Sequence, residues 1–308
     1  MANIAPTSLH NPLSGSELLE SPVPRGLLSE HIDMIQLKIK EVGEKVKAGQ
    51  IPPHKAKVLA SGGFSVAFLK NGAVKLIVVE MHKTEPDAIA FDKTCSGFSG
   101  KVELSDGDQP IPAIIYRAIR EFREETEDCF QLSDEQLESY ARSPNTTVLT
   151  NANFYNPGKH SALNFLINIP QEIAEAGMAR FNSSLRAAES EIQSLHPIDL
   201  SQTLSHAVDF FHCKVPNLQG EWYPNLDQER IALENSKGDL SLQQDVRRRM
   251  NLHLPIEEGA QNPVVLADYY ARDLAVNAEL LFLAIRVITA SSKALPSQKE
   301  AKEEKQEN

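Results

Sequence analysis

The sequence predicts an α/β protein, because strand-like and helix-like segments alternate along it. Two pairs of apolar, β-branched runs indicate antiparallel strand pairs, in residues 62–83 and 145–169. Asn71 and Gly72 join the first pair and readily adopt the positive φ angles of a tight hairpin; an Asn-Pro-Gly sequence at 156–158 joins the second. An acidic segment with helical spacing lies between the pairs, and helical spacing dominates after Pro170. The chain therefore combines a sheet with several helices.

The composition bounds the class of protein. The chain has 308 residues, enough for one large domain or two small ones. Its formal net charge of −11 and its lack of a basic block argue against general nucleic-acid binding, although a bound cation can bring a phosphorylated substrate to an acidic protein. Three cysteines without paired spacing favour a reducing, cytoplasmic location. The most apolar run, 274–290, carries Glu279 and Arg286, so we expect a core helix and no membrane span.

Four segments are predicted along the chain. Residues 1–26 are rich in Ser, Pro, Gly and Asn and are predicted to be a disordered arm. An amphipathic helix at 27–50 leads into one domain spanning 55–290, whose sheet is expected to end near residue 170. Helices are then predicted at 171–195, 200–211, 240–252 and 264–290. The charged tail, 291–308, resembles the acidic tail signals of effector proteins exported by some intracellular bacterial pathogens, so export is the alternative to a cytoplasmic location.

The acidic segment is predicted to be a helix from about residue 112 to residue 130, ending near Cys129 or Phe130. Its apolar residues fall on one stripe at helical spacing: Ile115, Ala118, Ile119, Phe122 and Cys129. Four carboxylates at i, i+3, i+4 and i+7 share a face that flanks this stripe: Glu121, Glu124, Glu125 and Asp128. Like charges at one-turn spacing repel, so some compensating interaction is expected.

Two kinds of compensation remain open. One is a solvated surface helix with i, i+4 ion pairs worth only about 0.2–0.5 kcal/mol each, formed by Arg117 with Glu121, Arg120 with Glu124, and Arg123 with Glu127. The other is a divalent cation such as Mg²⁺, which is typically held by a few carboxylates together with substrate phosphates.

The residues at 120–126, REFREET, resemble the core of the Nudix box, the catalytic helix of the Nudix hydrolases. The residues at 100–103, GKVE, resemble the glycine-led loop that opens the same box. The stretch from Gly100 to Arg120 is several residues longer than in the family. The family has a glutamate in this loop, and Asp108 is the nearest stand-in for it here. Glu127 occupies the position of the glycine that ends the box.

The resemblance implies a Nudix-like mixed β-sheet sandwiched between helices, with additional C-terminal helices. It also implies Mg²⁺- or Mn²⁺-dependent hydrolysis of a nucleoside diphosphate linked to another moiety. Glu124 and Glu125 would be the principal metal ligands, Glu121 a further ligand or the base that orients water, and Arg120 the residue that holds a box carboxylate. Weaker candidates are Glu103 and Asp108 for the metal, and Gly100, Lys101, Glu221 and Trp222 for the substrate.

Two alternatives stay open beside the hydrolase. A degenerate Nudix-like module would bind a nucleotide or a protein partner without turning it over. The acidic helix could also be only a charged surface feature, in which case no specific binding of divalent cations is expected.

Overall fold

A computed structural model of the chain describes residues 25–85, 88–151, 161–185, 190–211, 232, 235, 236, 238–255 and 263–294. Within these residues, nine strands form one mixed sheet: β1 (Lys57–Lys70), β2 (Ala73–Met81), β3 (Cys95–Ser96), β4 (Phe98–Glu103), β5 (Thr147–Thr150), β6 (Ser161–Asn168), β7 (Ile192–Asp199), β8 (Leu252–His253) and β9 (Val265–Leu266). The strand order is β5-β6-β1-β2-β3-β9-β8, with β4 paired to β1 and β7 paired to β2. β6 runs parallel to β1 and β9 parallel to β3, whereas the other pairs are antiparallel.

Helices cover both faces of this sheet. They are α1 (Arg25–Lys47), α2 (Pro110–Thr126), α3 (Asp134–Ala141), α4 (Gln171–Ser183), α5 (Leu200–Phe211), α6 (Leu240–Met250), α7 (Asp268–Val276) and α8 (Ala278–Ala294). One core cluster joins one face of the sheet to α1–α4 and includes Ile35, Phe122, Leu137 and Phe181. A second cluster joins the other face to α5–α8 and includes Leu204, Val246, Leu274 and Leu281. The predicted mixed sheet between helices, with further helices in the C-terminal part, is confirmed.

The predicted strand pairs are confirmed. β1 and β2 form an antiparallel hairpin in which Lys70 pairs with Ala73. Asn71 and Gly72 at its turn have φ angles of 51° and 80°, as a tight hairpin requires. β5 and β6 are also antiparallel. The Asn-Pro-Gly sequence between them lies outside the described residues.

The predicted helix at 171–195 is wrong in its second half, and the sheet continues beyond residue 170. Helix α4 ends at Ser183, and β7 follows along the edge of β2. In β7, Ile192, Leu195 and Ile198 are buried at three-residue intervals, a spacing that imitates a helix. A register shift between Ser194 and Ile192 puts Ile192 and Leu195 into the same core cluster, whereas Ile198 belongs to the cluster on the other face of the sheet.

The C-terminal helices also differ from their predicted bounds. The predicted helix at 240–252 ends at Met250, and the short strand β8 follows. The predicted helix at 264–290 begins with β9 and is divided at Asn277 into α7 and α8. In the described part of the chain, no single helix is long and apolar enough to cross a membrane. The segments Asp268–Val276 and Ala278–Ser291 meet that test only together, and they are bent by 73°.

The predicted division of the chain into an arm, a helix, a domain and a tail stays a prediction. Helix α1 lies where the sequence predicts the helix at 27–50, and Gly49 after it has a φ of 70°. Residues 1–24 and 295–308, which hold most of the predicted arm and tail, lie outside the described residues.

Candidate functional site

Helix α2 carries the acidic segment and is fixed to the sheet by its apolar stripe. The stripe residues within the helix are buried, namely Ile115, Ala118, Ile119 and Phe122. The Phe122 ring meets the rings of Phe98 and Phe64 edge to face, with centroids 4.9 and 6.1 Å apart. This packing determines which way the neighbouring carboxylates point.

Helix α2 ends at Thr126, earlier than the sequence predicts. Glu127 and Asp128 have φ angles of 49° and 57°, in the left-handed region. The Glu127 N–H donates to the Glu124 carbonyl at 3.3 Å, and the Asp128 N–H donates to the Arg123 carbonyl at 3.1 Å. Glycine usually supplies this C-terminal conformation because it lacks a Cβ. Glu127 therefore adopts a backbone that usually favours glycine, and the helix stops there.

Two glycines let α2 approach the sheet closely. Gly62 of β1 and Gly100 of β4 pair directly in register. A Cβ on Gly62 would overlap the carbonyl oxygen of Ile114, and a Cβ on Gly100 would overlap the carboxyl group of Glu121. Gly100 therefore lies in a strand and not in the predicted loop. It is needed because the Glu121 side chain lies directly on it.

Glu121 is nearly enclosed. Its side chain is 13% exposed and forms an ion pair with Arg117, whose own side chain is 11% exposed. Burial, followed by the negative charge of Glu124, raises the pKa of Glu121 to about 7, while the positive charge of Arg120 opposes the shift. A carboxyl group with this pKa can exchange a proton near neutral pH.

Arg120 joins the loop and helix carboxylates. Its guanidinium lies 3.1 Å from Asp106, 3.4 Å from Glu103 and 3.5 Å from Glu124. The predicted i, i+4 pairs of Arg117 with Glu121 and of Arg120 with Glu124 are both present. Arg120 thus lies within ion-pair distance of Glu124, and its role in a catalytic site stays a prediction.

Asp106 is the site residue that the sequence did not single out. Its side chain is fully buried, and its Oδ2 accepts the Glu103 N–H at 2.7 Å in the short 3-10 turn Leu104–Asp106. Burial raises the pKa of Asp106, whereas the Glu103 N–H and Arg120 lower it. Two acids three residues apart, Glu103 and Asp106, form a capping box, and that spacing is a signal that could have revealed the turn.

The other predicted site residues are either exposed or lie outside the described residues. Asp108 is exposed, and its backbone carbonyl accepts a hydrogen bond from the Gln36 amide at 3.1 Å. Lys101 is exposed on β4. Glu221 and Trp222 lie outside the described residues, so their roles stay predictions. Arg123, predicted to pair with Glu127, contacts Asp128 and Asp134.

Glu125 points toward a different set of groups. Its Oε2 atom is buried and makes no hydrogen bond. Burial, followed by the charge of Glu121, raises the pKa of Glu125 well above its usual range, and Lys83 opposes the shift. Lys83 in turn lies 3.2 Å from Glu191. An unpartnered carboxyl oxygen inside a cluster of acids is costly unless a proton or a cation compensates it.

The residues present fit a divalent cation chemically. Carboxylate oxygens are the ligands that Mg²⁺ and Mn²⁺ prefer, and the Glu125 oxygen has no competing partner. Their arrangement is only partly that of a metal site, because Arg117 and Arg120 contact the other carboxylates. Among the residues that the structure describes, no three His, Cys, Asp or Glu side chains already surround a common cation position.

Comparison with known proteins gives a partial similarity. No protein-family model and no curated protein matches the chain. Among solved structures, a Nudix hydrolase from Alicyclobacillus acidocaldarius is 12% identical, with 49% of this chain and 82% of that chain covered at a TM-score of 0.30. A mutT/nudix family protein from Listeria innocua is 13% identical, with 59% of this chain and 96% of that chain covered at a TM-score of 0.30.

A third structure is a bifunctional NMN adenylyltransferase/ADP ribose pyrophosphatase from Francisella tularensis, complexed with AMP and a manganese ion. It is 15% identical, with 71% of this chain and 51% of that chain covered at a TM-score of 0.30. At these identities and TM-scores, a likeness establishes neither a shared activity nor a shared site. The function is therefore inferred from the site's own residues.

Proposed function

We propose that the chain is a Mg²⁺- or Mn²⁺-dependent pyrophosphohydrolase of the Nudix type, which cleaves a nucleoside diphosphate linked to another moiety. The observation that carries this proposal is the buried Glu125 oxygen without a hydrogen-bond partner, next to Glu121 on a helix whose sequence resembles the Nudix box. A purely solvated acidic helix would expose these carboxylates. Here Glu121 is 13% exposed and lies against Gly100.

Each residue is assigned a role in this proposal. Glu124 and Glu125 would hold the cation, and Arg120, which also contacts the loop acids Glu103 and Asp106, would orient Glu124. When bound, the cation would neutralise the diphosphate and lower the pKa of a water molecule. Glu121, whose pKa is about 7, accepts the proton of the attacking water. The water oxygen bonds to phosphorus, the P–O bond of the anhydride breaks, and two phosphate products leave.

The alternative function is a nucleotide- or protein-binding module without turnover. It is favoured by one observation, the ion pair of Arg117 with Glu121, which engages a Glu121 oxygen that the hydrolase needs.

The test is product release from ADP-ribose, UDP-glucose, a dinucleotide and a nucleoside triphosphate, with Mg²⁺ or Mn²⁺. The wild type is compared with Glu124→Gln, Glu125→Gln and the exposed control Glu44→Gln on α1. We expect metal-dependent turnover that falls about 100-fold or more in the two site variants and is unchanged in the control. Absence of turnover with all compounds, together with Mn²⁺ binding that the site variants lose, would favour the binding module. Absence of Mn²⁺ binding would exclude both metal-dependent interpretations.

A further inference from the structure

Arg117 is a buried residue of helix α2 that engages one of the site carboxylates. Its side chain is 11% exposed, and its Nη2 pairs with Oε1 of Glu121. Arg117 precedes the residues at 120–126, so the resemblance to the Nudix box assigns it no role. A guanidinium therefore occupies the side chain that, in the proposed reaction, accepts a proton from water.

The hydrogen bonding of Arg117 is incomplete. Its Nε and Nη1 atoms are buried and make no hydrogen bond. Arginine carries five N–H donors, and buried polar groups are nearly always paired. An arginine that served only to fix the fold would use these donors. The unpaired atoms leave room for a second arrangement that satisfies them better.

Glu103 offers a second partner for Arg117. Its Oε1 lies 3.9 Å from Arg117 Nη1, just beyond hydrogen-bond distance, and its side chain is 39% exposed. Its backbone is held in place, because Asp106 Oδ2 accepts the Glu103 N–H at 2.7 Å. A rotation within the long arginine side chain is enough to bring the guanidinium to Glu103.

Of the two members of the ion pair, Arg117 is the one that can leave. The Glu121 carboxyl group lies directly on Gly100, where an added Cβ would overlap it. Glu121 is therefore confined between the sheet and its own helix. The arginine side chain has several rotatable bonds and already leaves two of its nitrogens unpaired.

A cation at Glu124 and Glu125 would favour this exchange of partners. Both residues follow Glu121 within about one turn of α2, so their side chains are its neighbours. A divalent cation there repels the Arg117 guanidinium and competes with it for Glu121. Glu103, which is partly exposed, gives the displaced charge a partner nearer to solvent.

We propose that Arg117 is an autoinhibitory residue, which holds Glu121 in the cation-free protein and moves to Glu103 when the cation binds. The inference rests on the cation site of the proposed function and does not require turnover. When only a fraction of the protein is competent to bind a ligand, the apparent affinity falls by that fraction. Arg117 therefore lowers the affinity for the cation and keeps Glu121 engaged until the metal is present.

The first test measures Mn²⁺ binding by calorimetry in the wild type and Arg117→Met, which keeps an apolar stem without the charge. Arg142→Met is the matched control, since Arg142 forms an i, i+4 pair with Glu138 at the neighbouring helix α3. We expect Arg117→Met to bind Mn²⁺ tenfold or more tightly than the wild type, and Arg142→Met to bind it equally. The gain should vanish when Glu121→Gln is present in both proteins being compared. A gain that survives Glu121→Gln is a general effect of charge and overturns the proposal.

Glu103→Gln tests the second position of the guanidinium. Without this partner, Mn²⁺ affinity should fall about threefold or more in the wild type and stay unchanged in Arg117→Met. An equal loss in both backgrounds would make Glu103 a metal ligand and would overturn the exchange.

Hydrogen exchange at the Arg117 side chain follows the movement without any variant. In protein labelled with ¹⁵N-arginine, the buried Nε–H of Arg117 should exchange slowly with water. Saturation with Mg²⁺ should accelerate that exchange tenfold or more, while the Nε–H of Arg142 keeps its rate. An Arg117 rate that does not change at saturation overturns the proposal.

Failure of this proposal and failure of the proposed function give different results. If the wild type binds Mn²⁺ and Arg117→Met binds it no more tightly, autoinhibition is overturned and the hydrolase stands. If neither protein binds Mn²⁺, both are overturned. Tighter binding by Arg117→Met that depends on Glu121 supports autoinhibition even if no compound is hydrolysed.

Discussion

Single residues of helix α2 differ sharply in their surroundings although they are neighbours in sequence. The Glu124 side chain is 61% exposed, whereas that of Glu121 is 13% exposed and lies against Gly100. Glu125 buries a carboxyl oxygen without a partner. The glycine on β4 thus determines where one of the three acids sits, and a substitution there tests the geometry of the site.

Gly100→Ala should displace the Glu121 carboxyl group, because the added Cβ overlaps it. We expect metal-dependent turnover, or Mn²⁺ affinity, to fall at least tenfold, with a loss of stability of about 1–3 kcal/mol from overpacking. Enzyme assays and urea unfolding measure the two effects. Gly43→Ala in α1 is the control, since no atom lies within 4 Å of its added Cβ. Unchanged activity in Gly100→Ala would show that Glu121 has no fixed place in the reaction.

At the scale of elements, two features concern the end of helix α2 and the pairing of strand β7 with β2. Helix α2 stops at Glu127, in a left-handed conformation that is unfavourable for a residue with a Cβ. Strand β7 joins the edge of β2 partly through polar side chains, because Ser194 and His196 both lie 2.8 Å from a Glu80 oxygen.

Glu127→Gly should stabilise the protein by about 1 kcal/mol, because glycine adopts the left-handed region without steric cost. The midpoint of urea unfolding measures this change. The same replacement in a right-handed helix, Glu138→Gly in α3, should instead lower the free energy of unfolding by about 1 kcal/mol. If both variants were destabilised equally, the left-handed helix end would be wrong.

The Glu80 cluster should make stability depend on pH. The hydrogen bond from His196, followed by that from Ser194, lowers the pKa of Glu80, against the opposing effect of burial. The stabilisation by ionised Glu80 is thus present above its unfolded-state pKa of about 4.3 and is lost as the pH falls through the lower folded-state pKa.

The free energy of unfolding of the wild type should therefore exceed that of Glu80→Gln by up to about 1 kcal/mol near pH 6. The difference is small because the pair of Glu80 and His196 is partly exposed. The difference should shrink as the pH is lowered below about 4. Urea unfolding at several pH values measures it, with the exposed Glu44→Gln as the control. A difference that grows toward acid would contradict the assigned direction.

At the scale of the whole molecule, the sheet separates the acidic helix α2 from a cavity under helix α7, and both lie against strand β4. The acidic helix lies on one face of β4, and a cavity lined by Ser99, Tyr270 and Arg272 lies on the other. The chain as a whole has a formal charge of −11, so a cation bound as proposed would relieve both local and overall repulsion.

Mn²⁺ should therefore raise the thermal midpoint of the wild type. A ligand that binds only the folded state stabilises it by about 2.7 kcal/mol at a concentration 100 times its Kd. Differential scanning fluorimetry with increasing Mn²⁺ measures the shift, which we expect to be lost in Glu125→Gln and retained in Glu44→Gln. An equal shift in both variants would indicate nonspecific screening.

Local patterns determined a large part of this architecture. The turn at Asn71 and Gly72 and the apolar stripe of α2 are decided by neighbours within a few residues, so the sequence predicts them. The carboxylates at Glu121, Glu124 and Glu125 and their arginine partners were visible for the same reason, since helical spacing fixes which side chains are adjacent.

Tertiary structure decided what depends on residues far apart in the chain. β7 is a strand because it pairs with β2, although its buried residues have helical spacing. In this pairing Ser194 lies opposite Glu80, which is more than 110 residues earlier in the chain. Asp106 and Glu125 became distinctive only through burial, and the cavity between the sheet and α7 is lined by residues of β1, β3, β4, β6 and α7. Burial and long-range pairing follow from how the elements pack, and no local spacing encodes them.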